Sequence, residues 1–166
     1  GKFALSRYYF NMFHIRSAEP EDYHDIAELI KRSILNVENS QYSKQQLEQR
    51  ASRFISATLK TWANNGVQFY VATMQDDDKA SIAAVVGWKG SHLYHLYTSP
   101  EWQRKGAAKQ LLEWAETQQR QAGGAWLWCN ASLDATDFYS KNGYLCVCSG
   151  VLPKTDIPVR LMHKVV

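Results

Sequence analysis

Long apolar runs are absent: nothing in the chain approaches the roughly 20 consecutive apolar residues that a bilayer-spanning helix needs, so no membrane partner is expected. Cysteine is scarce. Cys129, Cys146 and Cys148 are the only three, an odd number with no second spaced pair, which argues against a disulfide framework or a zinc site. Set among apolar, strand-like residues, they read as buried thiols of a reducing cytoplasm. An excess of one charge is missing too. Nineteen Lys and Arg against 16 Asp and Glu leave a net charge of +3, far below the basic field that tracks nucleic acid. The run Asp76-Asp-Asp78, lying between two strand patterns, reads as a solvated hairpin loop, and no metal is expected. A signal peptide is lacking as well: Gly1 to Asn11 mix Lys2 and Arg7 with aromatics and have no adequate apolar core or small-residue cleavage site. They read as a leader ahead of Met12, and residues 12–166 as one domain of ordinary globular composition.

What is present is a junction. In Tyr97-Thr-Ser-Pro-Glu-Trp-Gln-Arg-Lys-Gly-Ala-Ala-Lys-Gln-Leu-Leu112 an aromatic strand pattern breaks at Ser99-Pro100 and a helical pattern takes over. Gln103 to Ala108 puts small residues at a helix start, where the first amide N–H groups have no intrahelical partner and the macrodipole leaves roughly half a positive charge. Arg104, Lys105 and Lys109 add full charges. A terminus of this kind attracts phosphate.

The elements around it follow from periodicity. Phe13 to Ala18 alternates as a first strand, and Tyr23, Ile26, Leu29, Ile30 and Ile34 recur at helical spacing to about Asn36. Ser43 resembles an N-cap, and Leu47, Phe54, Ile55 and Leu59 continue a broken apolar face into one or two more helical pieces before Asn64-Asn-Gly66. Gln68 to Met74, Ala80 to Trp88 and Ser91 to Thr98 read as three antiparallel strands. A helix from Lys105 should end near Gly123-Gly124, and Trp126 to Asn130 should return parallel to the strand before that helix, a β-α-β crossover. Ser132 is an expected N-cap for a short helix carrying Ala135, Phe138, Tyr139 and Asn142, with strands from Tyr144 and from Ile157 closing the chain. The expected fold is α+β, a mixed and mostly antiparallel central sheet flanked by helices.

Two separated segments resemble one family. Gln103-x-x-Gly106-x-Ala108 after a strand is similar to the pyrophosphate loop of the GNAT superfamily of acyl-CoA-dependent N-acetyltransferases. Asn130-Ala-Ser-Leu-Asp-Ala-Thr-Asp-Phe-Tyr-Ser-Lys-Asn-Gly-Tyr144 resembles that family's later helix, with its Phe-Tyr pair and trailing Gly-aromatic. Ala108 stands where a second glycine is frequent. The resemblance implies acetyl-CoA as co-substrate, its pyrophosphate on the backbone of Gln103, Arg104, Lys105, Gly106, Ala107, Ala108 and Lys109. It also implies that the arm of the cofactor lies along Leu96, Tyr97 and Thr98, with Asn130, Ser132, Phe138 and Tyr139 on the other side.

By the same resemblance the Leu96 N–H donates to the thioester carbonyl and Tyr139 is the general acid that protonates the departing thiolate. A base must also take a proton from the amine, because an alkylammonium of pKa ~10.4 has no lone pair at neutral pH. His92 ranks first, at the position where many family members carry a glutamate, then Tyr94, then His95; a water chain without a dedicated base stays equally open. Simple strand alternation puts His92, Tyr94 and Leu96 on one face and His95 on the other, unless a β-bulge intervenes.

The expected acceptor is a small primary amine attacking directly in a ternary complex, in a monomer or homodimer. A protein or peptide amine, and a non-catalytic acyl-CoA sensor, are the alternatives. Tyr42, Trp62 and Trp88 could form an aromatic acceptor wall or simply pack.

Overall fold

The computed structural model describes residues 13–76 and 78–166, so the reading of Gly1 to Asn11 as a leader lies outside the described residues. The chain opens with strand β1 (His14–Ser17) and helices α1 (Tyr23–Leu35), α2 (Lys44–Ala51) and α3 (Ser56–Asn64). Strands β2 (Gln68–Asp76), β3 (Lys79–Lys89) and β4 (His92–Thr98) follow, then helix α4 (Ala107–Gln121) and strand β5 (Trp126–Ser132). Helix α5 (Thr136–Lys141) and strands β6 (Leu145–Val151) and β7 (Pro158–Val165) complete it. One seven-stranded sheet runs in the order β1-β2-β3-β4-β5-β7-β6, antiparallel throughout except for β4 and β5. The mixed α+β sheet is as the sequence implied.

Local chemistry accounts for the boundaries. α1 buries Ile26, Leu29, Ile30 and Ile34, none more than 2% exposed, which removes an apolar stripe from water at roughly 1.5–3 kcal/mol per side chain. Ser43 caps α2 by accepting from the Gln46 amide while Gln46 returns the bond, a reciprocal pair that satisfies two orphan donors. Helix α4 starts at Ala107 rather than at Lys105, because Gly106, its N-cap, adopts φ 90°, a left-handed conformation that breaks the helical pattern. Ser132 does not cap a helix with its side chain. It ends β5, and a 3-10 turn at Leu133–Ala135 precedes α5.

Two cores sandwich the sheet. Under α4 lie Ala84, Val86, Trp88, Leu93, Leu112, Leu127, Cys129, Met162 and the α5 residue Tyr139. On the other face α1–α3 cover Phe69, Val71, Val85 and Tyr97. The cysteines divide accordingly: Cys129 is buried, whereas Cys146 and Cys148 are exposed, contrary to the expectation of three buried thiols. Those two point to opposite faces. A register shift leaves Val147 without an opposite residue, so Cys146 pairs Met162 and Cys148 pairs Leu161, neighbours that point to opposite sides.

Candidate active site

The sheet is split between β4 and β5. These strands pair only at His92↔Trp128 and Leu93↔Cys129, then run on unpaired to Thr98 and Ser132. Hydrogen-bond alternation fixes what faces the gap. Ser99 N donates to Ala83 O, 2.8 Å, so in this antiparallel ladder Tyr97 also bonds to β3, while the backbone groups of Leu96 and Thr98 turn away from β3 into the split. On the other side Val166 N donates to Ala125 O, 2.9 Å. Cys129 and Ala131 therefore bond to β7, and the backbones of Asn130 and Ser132 face Leu96 and Thr98 across the gap. The Ser132 carbonyl accepts from the Thr136 hydroxyl at 3.2 Å; the remaining amides and carbonyls that turn into the split are suited to an extended, peptide-like guest.

At the open end stands the basic helix start. The first helical bond of α4 runs from Gln110 N to Gly106 O, 3.0 Å, leaving the amides of Ala107, Ala108 and Lys109 outside the i→i−4 ladder. Arg104 adopts φ 62° and Gly106 φ 90°, two left-handed residues that curl the backbone of this loop. A Cβ added to Gly106 would meet nothing within 4 Å, so the loop borders open space. Gln103, Arg104 and Lys109 are exposed. Lys105 lies over the Trp102 ring at 4.6 Å. Backbone donors, left-handed loop residues and three cations together fit a pyrophosphate.

Tyr139 enters from α5. It is 6% exposed, its ring edge-on to Phe138 at 5.4 Å and to Tyr144 at 5.3 Å, and its hydroxyl interacts with the Cys129 thiol. Burial, then the neighbouring Cys129, Tyr144 and Tyr97, hold its pKa well above the ordinary tyrosine value, so it keeps its proton at neutral pH. Cys129 is at the apex of the split. Burial pushes its thiol up to about 12, partly offset by the Tyr139 hydroxyl, so a nucleophilic thiolate is not formed there.

The histidines of β4 are rearranged by a bulge. Gly87 pairs His95 and Trp88 pairs Leu93, so Tyr94 has no opposite residue and alternation slips by one. Leu93 and Leu96 pack on the α4 side, whereas His95 meets Trp62 and Phe69 on the helix side, stacked at 4.7 and 5.7 Å. The simple alternation is thereby corrected: His92, Tyr94 and His95 lie on one face and Leu96 on the other. His92 stacks on Trp128 at 3.7 Å and touches Tyr94 at 3.7 Å. Burial lowers His92 to about 4 and His95 to about 3, with Arg53 and His92 adding to the shift of His95. Both are neutral at pH 7, and the Nδ1 of His95 has no hydrogen-bond partner.

The aromatic wall does not form as a unit: Trp88 lies in the core beneath α4, on the opposite face from Trp62 and Tyr42. Tyr42 has a different task. Its hydroxyl accepts from Leu133 N at 2.8 Å and donates to Pro158 O at 2.6 Å, tying the α1–α2 loop to the ends of β5 and β7. Sequence reading also missed Glu116, 5% exposed on α4, which accepts from Lys164 Nζ at 3.0 Å and from the Tyr144 hydroxyl at 3.2 Å. Its spacing from Leu112 and Ala115 on the buried face is the one signal that could have drawn attention to it. Among the described residues no group of three potential ligands could hold a metal.

A seven-stranded sheet split beside a basic helix start defines a class of acyltransferase, and the sequence comparison names the family. The acetyltransferase (GNAT) domain matches residues 38–164, and the chain belongs to that family. No curated protein sequence matches the chain. Among solved structures it is similar to a GCN5-related N-acetyltransferase from Rhodopseudomonas palustris, with 22% identity, TM-score 0.85, and coverage of 94% of this chain and 97% of that one. It is also similar to PaiA N-acetyltransferase from Thermoplasma acidophilum in complex with coenzyme A, with 22% identity, TM-score 0.73 and coverage of 93% and 99%. A spermidine N-acetyltransferase chimera from Vibrio cholerae matches at 16% identity and TM-score 0.62, covering 93% of this chain and 96% of that one.

Proposed function

We propose that this acetyltransferase moves the acetyl group of acetyl-CoA to a small primary amine by direct attack. The observation that carries the reading is the split between β4 and β5, with backbone groups of Leu96, Thr98 and Asn130 turned into it, the helix start at one end and Tyr139 inside. A bound acetyl-CoA supplies an activated acyl group and a thiol leaving group. The Leu96 N–H donates to the thioester carbonyl, a fixed donor where negative charge develops. Tyr139 holds its proton for the departing sulfur, and its partner Cys129, at about 12, stays a thiol and out of the covalent chemistry.

Deprotonation of the amine is assigned to His92, which is half-buried, neutral at pH 7 and has a lone pair. At about 4 it is a weak base, so the acceptor's own ionisation, near pKa ~10.4 for an alkylamine, governs how the rate rises with pH. A small amine is favoured by the likeness to a spermidine N-acetyltransferase, and the Tyr42 tie anchors the α1–α2 loop on Leu133 and Pro158. The exposed free thiols Cys146 and Cys148 fit a reducing, cytoplasmic setting. The test is free-thiol release from acetyl-CoA with a panel of small amines, peptides and alcohols. Release with small primary amines is expected; release only with peptides or alcohols overturns the acceptor, and acetyl-CoA binding without release to anything overturns the enzyme.

A further inference from the structure

Helix α5, Thr-Asp-Phe-Tyr-Ser-Lys, has 6 residues, too few to hold its shape alone in water, so where its side chains point is decided by what it packs against. Its end is tied down. Asn142 Nδ2 donates to Phe138 O at 2.8 Å, and the amides of Asn142 and Tyr144 both donate to Tyr139 O at 3.0 Å. Those bonds fix the backbone of Tyr139 and leave its ring to its neighbours. Tyr144, 2% exposed, stands edge-on to it with centroids 5.3 Å apart and planes at 67°, a preferred arrangement for an aromatic pair.

Tyr144 is itself held by charge. Its hydroxyl donates to Glu116 Oε1 at 3.2 Å, and Lys164 Nζ reaches both Glu116 oxygens at 3.1 and 3.0 Å while lying 5.8 Å from the Tyr144 ring centroid. The turn is shaped for this: Gly143 adopts φ 89°, and a Cβ there would stand 3.3 Å from Lys164 Cε. α4, β7 and the turn after α5 thus meet at one carboxylate, 5% exposed, in a core otherwise built of residues such as Leu111, Leu112, Leu127 and Met162. Cohesion does not require it, because apolar residues of similar volume commonly hold a fold as well as a buried ion pair does. A satisfied polar network supplies what apolar packing does not, a fixed direction.

We propose that Tyr144, fixed by Glu116 and Lys164, is a positioning residue for Tyr139, a role that rests on the reading of Tyr139 as the general acid. The fixed ring sets the tilt of the Tyr139 ring, and so the line along which its hydroxyl meets the departing sulfur. Steady-state thiol release tests this, with acetyl-CoA and the small primary amine of the panel that reacts fastest. Tyr144→Phe keeps the ring and cuts it from Glu116; kcat is expected to fall about tenfold, as for a displacement short of roughly 1 Å, with acetyl-CoA affinity by calorimetry and circular dichroism unchanged. Glu116→Gln, which still accepts from the Tyr144 hydroxyl, keeps most of the rate, whereas Glu116→Leu falls to the level of Tyr144→Phe. In a Tyr139→Phe background Tyr144→Phe costs nothing further. A wild-type kcat in Tyr144→Phe overturns the inference, as does a loss that persists undiminished in the Tyr139→Phe background or that is matched by weaker acetyl-CoA binding. Should Tyr144→Phe lose its circular dichroism, Glu116→Gln against Glu116→Leu carries the same comparison. Tyr139→Phe at the wild-type rate removes the acid itself, so failure of the underlying reading shows in a different variant.

Discussion

The two faces of the sheet at β4 and β5 are built by different rules. On the α4 side everything is closed: Leu93, Leu112, Leu127 and Met162 are 2% exposed or less, Tyr139 reaches through that core to the split, and the donor loop is made of backbone. On the other side the helices stop at β4, and His92, Tyr94, Trp126 and Trp128 stand at an open surface. On the proposed reading the closed side sets where an acyl donor would lie, because its side chains are held by packing. The open side is where an arriving amine would meet the chain on the proposed reading.

Substitutions sharpen that contrast, beginning with the closed side. Tyr139→Phe keeps the ring and loses the proton, and is expected to lower kcat at least about a hundredfold, the range for a lost general acid, with acetyl-CoA affinity unchanged. An unaltered rate in steady-state kinetics removes Tyr139 from that role. Next comes Glu116→Ala, which leaves Lys164 and the Tyr144 hydroxyl without their acceptor and should destabilise the protein by about 2 kcal/mol in denaturant titration. No change in the midpoint would mean that the pair is no more than a solvated contact. Gly106→Asp puts an anion at the helix start and a side chain at φ 90°, with an expected rise of about tenfold in KM for acetyl-CoA and little change in kcat. An effect confined to the acceptor's KM would contradict the assignment.

On the open side the effects are smaller and show in pH. His92 at about 4 is already neutral, so log kcat/KM should climb toward the amine's pKa with no inflection near 6.5; an inflection there would make His92 an ordinary titrating base. His95 gives a stability signature. Its folded pKa, about 3, lies below the ordinary value of ~6.5, so the unfolded chain binds the proton first, and stability declines as pH falls from about 6.5 toward 3. His95→Phe should flatten that decline in acid titration, and an unchanged slope would mean that other groups cause it.

The same contrast governs what could be read from residues alone. The donor loop and the Phe138-Tyr139 segment are contiguous, so local spacing carried them, and the parallel direction of β5 against β4 follows from one helical crossover, whereas the limit of that pairing to two residue pairs was not legible. The face of His95 was not legible, because the bulge at Tyr94 goes with the close approach of Phe69 and His95 to Gly87 across the sheet rather than with any local signal. Cys146 and Cys148 were misjudged for a related reason. An apolar strand pattern does not tell whether another layer covers it, and here none does.

The central claim is that the split and the helix start of α4 hold the acyl donor. Amide hydrogen exchange with and without acetyl-CoA reads it at the backbone itself. The account predicts that peptides spanning residues 94–98 and 103–109 gain protection together, while those of β6 and β7 keep their rates. Protection confined to the open face, or none at residues 103–109, would contradict it.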